Sequence, residues 1–219
     1  HCRATQKMAD EITRRMPPRL NLGRQYASVM SGPMLNWQPA VQSQHELRYI
    51  MGYYLPTWQR GLVWTETQKI AFIESAWRGI SLGTFTYNQS AAGSPFDNLL
   101  IDGQQRLTTL QIFLSAFRDF CGEQDCEDMA KECAAFTLNK GMMADPDVDK
   151  FKVWPTQLDR GQFADVVGAG SRVELLKRHP LRKRPYARNY EPRPRMVEAY
   201  FFFYEQLNEF FMGAGGEPP

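Results

Sequence analysis

The chain has 219 residues, of which 43% are hydrophobic, 23% charged and 13% aromatic. Those fractions describe one globular domain with at most an appendage, and they exclude collagen-like, coiled-coil and wholly disordered chains. The 26 Lys and Arg against 24 Asp and Glu leave a net charge of +2, which by itself predicts no polyanion partner.

The longest apolar run, Ala199–Tyr204, falls far short of the roughly 20 residues a membrane span needs, so no membrane partner is expected. No apolar signal core follows His1, and the absence of Met at position 1 reads as a trimmed start. Cysteines stand at 2, 121, 126 and 133. The C-x4-C-x6-C spacing of the last three lacks the paired form of a zinc site and has no histidine nearby. They read as reduced thiols of a cytoplasmic protein, with no zinc expected.

Residues 1–44 read as an N-terminal extension, with a short helix over Met8–Met16 ended by Pro17-Pro18 and a Gly, Pro, Asn, Ser and Gln-rich stretch from Ser31 to Ser43. A helical piece is expected near His45–Met51. Thr65-Glu66-Thr67-Gln68 has the form of a capping box, with Thr65 as N-cap and Gln68 three residues on. Ile70, Ile73 and Trp77 follow at helical spacing, and Gly79 stands where a C-cap belongs, so a helix is predicted over Glu66–Arg78. Thr84–Tyr87 alternates and is β-branched or aromatic, hence a strand. A turn-rich loop over Gln89–Asn98 leads to a short apolar strand, Leu99–Ile101, broken by Asp102-Gly103.

The next helix carries Leu107, Leu110, Leu114, Phe117 and Cys121 on one stripe and ends at Gly122. A further short helix is expected over Cys126–Lys140. Phe151–Trp154 reads as a strand, and Thr156 as the cap of a helix reaching about Val167. From Ser171 to Arg195 the composition shifts to nine basic residues, two acidic and four prolines, which predicts mostly loop with a short helix near Glu174. Pro194 suits the first turn of a last helix, whose stripe is Val197, Tyr200, Tyr204, Leu207 and Phe211. Residues 213–219 are a tail.

The strongest chemical signal is Leu99-Leu100-Ile101-Asp102-Gly103-Gln104-Gln105-Arg106-Leu107-Thr108-Thr109-Leu110, read as strand, tight turn and helix. A helix start leaves backbone N–H groups unpaired and carries partial positive charge, which makes an anion site. Gly103 lets a ligand approach the backbone. Gln104 and Gln105 add amide donors, and Arg106 adds a fork suited to phosphate oxygens. Asp102 stands at the strand's end, and its carboxylate could hold a Mg²⁺ that bridges phosphates. The plainer alternative makes Asp102 an N-cap and pairs Arg106 with a surface acid.

A second signal is Pro56-Thr57-Trp58-Gln59-Arg60-Gly61-Leu62-Val63-Trp64. Gln59 could meet a base or ribose edge and Arg60 a phosphate, with Trp58 or Trp64 stacking on a base. Equally, Trp64 could pack as a hydrophobic staple for the Thr65 cap while Arg60 stays on the surface.

Together these residues resemble the DGQQR-motif domain, the N-terminal domain of GmrSD-type, modification-dependent restriction systems within the ParB/sulfiredoxin superfamily. The matching positions are Pro56, Gln59, Arg60, Trp64, Gln68, Ser75, Gly79, Gly83 and Asp102 to Leu110. Lys152-Val153-Trp154-Pro155-Thr156, Asp159-Arg160, Phe163 and the closing aromatic helix are similar to the rest of that domain, so the resemblance covers roughly residues 45–212. It implies a nucleotide pocket, because members bind or hydrolyse nucleoside triphosphates and depend on the DGQQR residues. Carried over, Asp102, Gln105 and Arg106 are catalytic. Gln59, Arg60, Gly103, Gln104 and Thr108 bind the nucleotide and its phosphates, with Gln59 and Arg60 facing the DGQQR run across a cleft.

The fold expected is α/β, or α+β: a small mixed sheet of ParB/sulfiredoxin type carrying both motifs, surrounded by helices, with a helical C-terminal part. Longer relatives carry a C-terminal HNH nuclease. Here His1, His45 and His179 form no such arrangement and little chain follows Phe211, which reads either as a nuclease or effector on a separate chain or as a lone sensor or regulator.

The basic stretch supplies Lys177, Arg178, Arg182, Lys183, Arg184 and Arg188 as nucleic-acid contacts, with Tyr186 and Tyr190 interleaved for stacking. A solvated basic loop is the alternative. Three functions follow. The first is Mg²⁺-dependent nucleoside-triphosphate hydrolysis coupled to DNA recognition, in restriction or phage defence. The others are a non-hydrolytic nucleotide or DNA-binding regulator acting through a partner chain, and a ParB-like DNA nickase.

Overall fold

The computed structural model describes residues 61–77, 86–88, 99–140, 146–153, 155, 158–183 and 190–213. Expectations for Met8–Met16, His45–Met51, Gly79, Gly83, the 89–98 loop, Trp154, Thr156, Tyr186 and the 214–219 tail lie outside them. So do the expectations for Gln59, Arg60, Arg184 and Arg188.

Helix α1 spans Glu66–Trp77. The capping box forms at its start, with Gln68 N–H donating to Thr65 Oγ1 at 3.3 Å and Thr65 N–H donating to Gln68 Oε1 at 3.0 Å. Trp64 packs edge-on against Phe72, 5.3 Å between centroids, so the staple closes one turn further into the helix than the usual partner position. The inward face is Lys69 and Phe72, while Ile70 and Ile73 are half-buried.

Strands β1, Thr86–Asn88, and β2, Leu99–Asp102, pair antiparallel, with Thr86 opposite Asp102 and a bulge after Thr86. Gly103 then turns the chain at φ 106°, a left-handed conformation that side chains with a Cβ resist, and α2 runs from Gln104 to Glu123. The predicted stripe of α2 is buried, but so is every residue from Leu107 to Cys121. Helices α3 (Glu127–Thr137), α5 (Arg160–Gly168), α6 (Arg172–Arg178) and α7 (Arg195–Met212) pack around α2, along with α1, while the short α4 (Pro146–Asp149) lies in the α3–α5 connection.

The expected small mixed sheet is not there. Among the described residues the protein has seven helices and a single pair of short antiparallel strands. The strand expected over Phe151–Trp154 is reduced to an isolated bridge between Leu138 and Phe151. The physical reason lies in α2. A helix buried on all sides takes the place that a second layer of strands would need, and among the described residues β2 has no neighbour except β1. The helical C-terminal part is present. Its helix α5 starts three residues later than expected, with Asp159 and not Thr156 at the N-cap. The short helix expected near Glu174 is α6, capped by Ser171, whose side chain accepts from Glu174 N–H at 3.1 Å.

The core is aromatic. Phe113 meets Phe203 edge-on at 5.5 Å, and Phe117 and Phe120 stack on Phe211 at 6.2 and 5.7 Å, fastening α2 to α7. Such pairs add about 0.5–1.5 kcal/mol each beyond the area they bury. All five predicted inward residues of α7 are buried. Within this core Arg118 Nε donates to Asp119 Oδ1 at 2.7 Å, and Tyr200 Oη donates to Asp119 Oδ2 at 2.7 Å. Arg118 also donates to the Val167 carbonyl at 2.8 Å, so the buried carboxylate and guanidinium tie α2 to α5 and α7. No helix among the described residues is long and apolar enough to cross a membrane.

Candidate functional site

The site is the junction β2–Gly103–α2 and the arm, residues 61–65, that precedes α1. Gly103 is the N-cap of a 20-residue helix and offers no side chain to its first turn; the first bond of the ladder is Leu107 N–H to the Gly103 carbonyl at 2.9 Å. Asp102, at the end of β2, has its side chain 65% exposed, and Arg106 Nη2 donates to its Oδ2 at 2.6 Å one turn into the helix. The carboxylate and guanidinium thus stand as a pair at the mouth of the junction. Gln104 is buried. Thr108, one turn further, is buried too, and its Oγ1 has no hydrogen-bond partner among the described residues.

Gln105 faces the other way. Its Nε2 donates to the Gly61 carbonyl at 2.8 Å and its Oε1 accepts from Val63 N–H at 2.9 Å. In an extended chain, the carbonyl of one residue and the N–H two residues on lie along the same edge. The amide of Gln105 therefore does what a neighbouring strand would do. The opposite edge belongs to Leu62. Its carbonyl accepts from Arg195 Nη1 of α7 at 3.4 Å, and its N–H faces the carboxylate of Asp159, the N-cap of α5. Side chains from three elements thus hold three consecutive residues, and those residues directly follow Gln59-Arg60 in sequence.

Asp159 is buried. Its Oδ1 accepts from Gln162 Nε2 at 2.7 Å, while Oδ2 has no hydrogen-bond partner among the described residues. Burial raises its pKa above the ordinary carboxylate value, against the opposing pull of Leu62 N–H, Gln162 and Arg195. Nearby on α1, burial lowers the pKa of Lys69.

Of the residues expected at the site, the structure brings together Asp102, Gly103, Gln104, Gln105, Arg106 and Thr108. The bracing residues Asp159 and Arg195 were missed as site residues. Asp159 carried a faint signal, standing three residues before Gln162 in the manner of a cap, and Arg195 carried none.

The basic contacts lie elsewhere. Lys177 and Arg178 on α6 pair with Glu174 at 3.6 and 3.3 Å, and Arg178 also reaches Asp165 at 3.6 Å. Arg182 and Lys183 are exposed, next to an antiparallel bridge between Lys183 and Tyr190. Cys121, Cys126 and Cys133 are free thiols, and burial pushes Cys133 up to about 12. Among the described residues no group of three or more His, Cys, Asp or Glu is placed to hold a metal ion.

The geometry defines a helical domain built on a strand–glycine–helix junction, braced by side chains against the arm before it. The chain belongs to the GmrSD restriction endonuclease N-terminal domain family, whose model matches residues 41–214. That membership sets the protein in a restriction system. No curated protein and no solved structure matches the chain.

Proposed function

We propose that this domain binds a nucleoside triphosphate at the β2–Gly103–α2 junction and hydrolyses it in the service of DNA restriction. The observation that carries the reading is the Gln105 brace. It fixes residues 61–63 against the start of the DGQQR helix.

Each residue then has a task. The backbone at Gly103 and the start of α2 receive phosphate oxygens, as helix starts do. Arg106, already oriented by Asp102, offers its fork to a phosphate. Gln104 and the unpaired Thr108 hydroxyl supply neutral donors beneath it. Gln59 and Arg60 are added to the nucleotide-binding set on the strength of the motif likeness alone. Gln105 acts through the segment it holds. In phosphoryl transfer the protein's work is positioning and charge stabilisation, which this set of donors can provide.

The donor set also fits a magnesium ion that arrives with the nucleotide. One exposed carboxylate, Asp102, is what a Mg²⁺ complexed to phosphates asks of a protein. When bound, that ion neutralises phosphate charge; Asp102 would hold it while Arg106 shifts to the phosphate.

Thermal unfolding with ATP, GTP, CTP and UTP, each with and without Mg²⁺, tests the reading. A nucleotide at about 100 times its Kd stabilises by about 2.7 kcal/mol, a shift of roughly 5–11 °C for a domain of this size. One nucleotide is expected to give that shift, Arg106→Ala to abolish it, and phosphate release to accompany it. Binding without phosphate release would make the site a regulatory sensor. No shift with any nucleotide would overturn the reading.

A further inference from the structure

Six large hydrophobic side chains are exposed among the described residues, and four of them fall in one short stretch. Val173 and Leu176 are 55% and 38% exposed, and Leu181 and Tyr190 are 52% and 56%. Val173 and Leu176 stand three apart on α6 and so share a side of it, while Leu175 between them turns fully into the core. Leu181 leads directly into the Lys183–Tyr190 bridge, which Glu191 N–H closes by donating to the Arg182 carbonyl at 2.8 Å. Apolar side chains scattered singly over a surface mean little, but a cluster marks a contact surface.

The cluster is held rigidly from below. Ser171 caps α6, and His179 at its end pairs its Nε2 with Asp165 Oδ2 at 2.8 Å. Arg193 donates from Nε to the His179 carbonyl at 2.8 Å while its guanidinium lies 4.4 Å over the Phe201 ring. A surface fixed in this way loses little freedom on binding. Its charge is net positive. Arg182 and Lys183 are exposed with no ion pair among the described residues, while Lys177 and Arg178 on α6 pair with Glu174.

We propose that this face, α6 together with residues 181–183 and 190, docks an acidic amphipathic segment of a partner protein. The charge selects the occupant. A second copy presenting the same face would bring net positive charge to net positive charge, which disfavours an isologous contact. Duplex DNA would satisfy the cations but leave the valine and leucine side chains without a complementary surface, since most of its contacts run to phosphate and sugar. A segment that alternates carboxylates with apolar residues satisfies both. The proposal is independent of the nucleotide site, which lies at the other end of the α2 interactions.

The test uses the full chain and three labelled probes: a peptide alternating Glu with Leu and Phe, polyglutamate of equal charge, and a short DNA duplex. Fluorescence anisotropy should show the amphipathic peptide binding about tenfold more tightly than polyglutamate, a difference of about 1.4 kcal/mol. The pair Val173→Ser with Leu176→Ser and the pair Arg182→Gln with Lys183→Gln should each weaken it by about tenfold. Circular dichroism should show both pairs folded as the wild type, because all four side chains are exposed. Peptide binding indifferent to the Val173/Leu176 pair overturns the proposal, as does no peptide binding at all. Tighter binding of the duplex, lost only with the Arg182/Lys183 pair, would instead make this a nucleic-acid surface and also overturn it.

Discussion

At Gly61 the chain has room for a hydrogen and little more. A Cβ there would lie 2.6 Å from Asp159 Oδ2 and 3.0 Å from Oδ1. The carboxylate cannot swing aside without giving up Gln162 and the Leu62 N–H. Gly61→Ala should therefore cost about 1–3 kcal/mol, the usual penalty of overpacking. Gly122→Ala is the control. Nothing stands within 4 Å of its would-be Cβ, and it lies in a helix, so alanine there should be neutral or stabilising by up to about 1 kcal/mol. Urea midpoints of the two variants would settle the matter, and equal midpoints would contradict the close approach. The Thr65–Gln68 cap was legible in the sequence because both partners lie within one turn. The bonds of Gln105 were not, because its partners stand 44 and 42 residues earlier and a side-chain amide gives no hint of which backbone it will meet.

Between elements, Asp159 links α5 to the arm, and it does so at an electrostatic cost. Burial raises its pKa, so the folded protein holds this proton more tightly than the unfolded chain does. The sign follows from linkage. The contribution of Asp159 is fully present below the ordinary aspartate value of about 3.9 and is lost as pH rises through the higher folded value. The stability of the wild type relative to Asp159→Asn should therefore fall as pH rises from about 4 toward neutrality. Urea unfolding of both proteins across that range measures it; a difference that grows with pH would place the aspartate in a site favouring its charge. The helices α1, α2, α3 and α7 were legible because their spacing, caps and terminal glycines are local signals. The mixed sheet was misread for a matching reason. A strand, a glycine turn and a helix look alike in an open sheet and in a lone hairpin feeding a buried helix. Strand neighbours are chosen by distant chain, and Phe151, apolar enough for a strand, is instead covered by Phe163 and α5.

Taken as a whole, the molecule buries groups that resist losing protons. Cys121, Cys133, Tyr200 and Tyr204 all have raised pKa values, chiefly through burial, with Cys133 pushed up to about 12. Unfolded, these thiols and phenols ionise near about 8.5 and 10; folded, they stay neutral well beyond. Their contribution is complete below those values and drains away as pH climbs past them. Lys69 and Lys152, with lowered values, push in the opposite direction, but among the described residues they are two against five raised thiols and phenols, Cys126 included. The melting temperature should drop steeply from about pH 9 to 11. A flat profile by circular dichroism would mean the thiols and phenols titrate as if exposed. The brace on residues 61–63 bears on a different question, where the cooperative folding unit begins. Judged by the described helices it would start at Glu66. Judged by what Gln105 and Arg195 hold, it starts no later than Gly61. A chain cut just ahead of the first described helix would keep every described helix and strand, yet leave an amide, a carboxylate and a guanidinium facing an empty trough at the heart of the site.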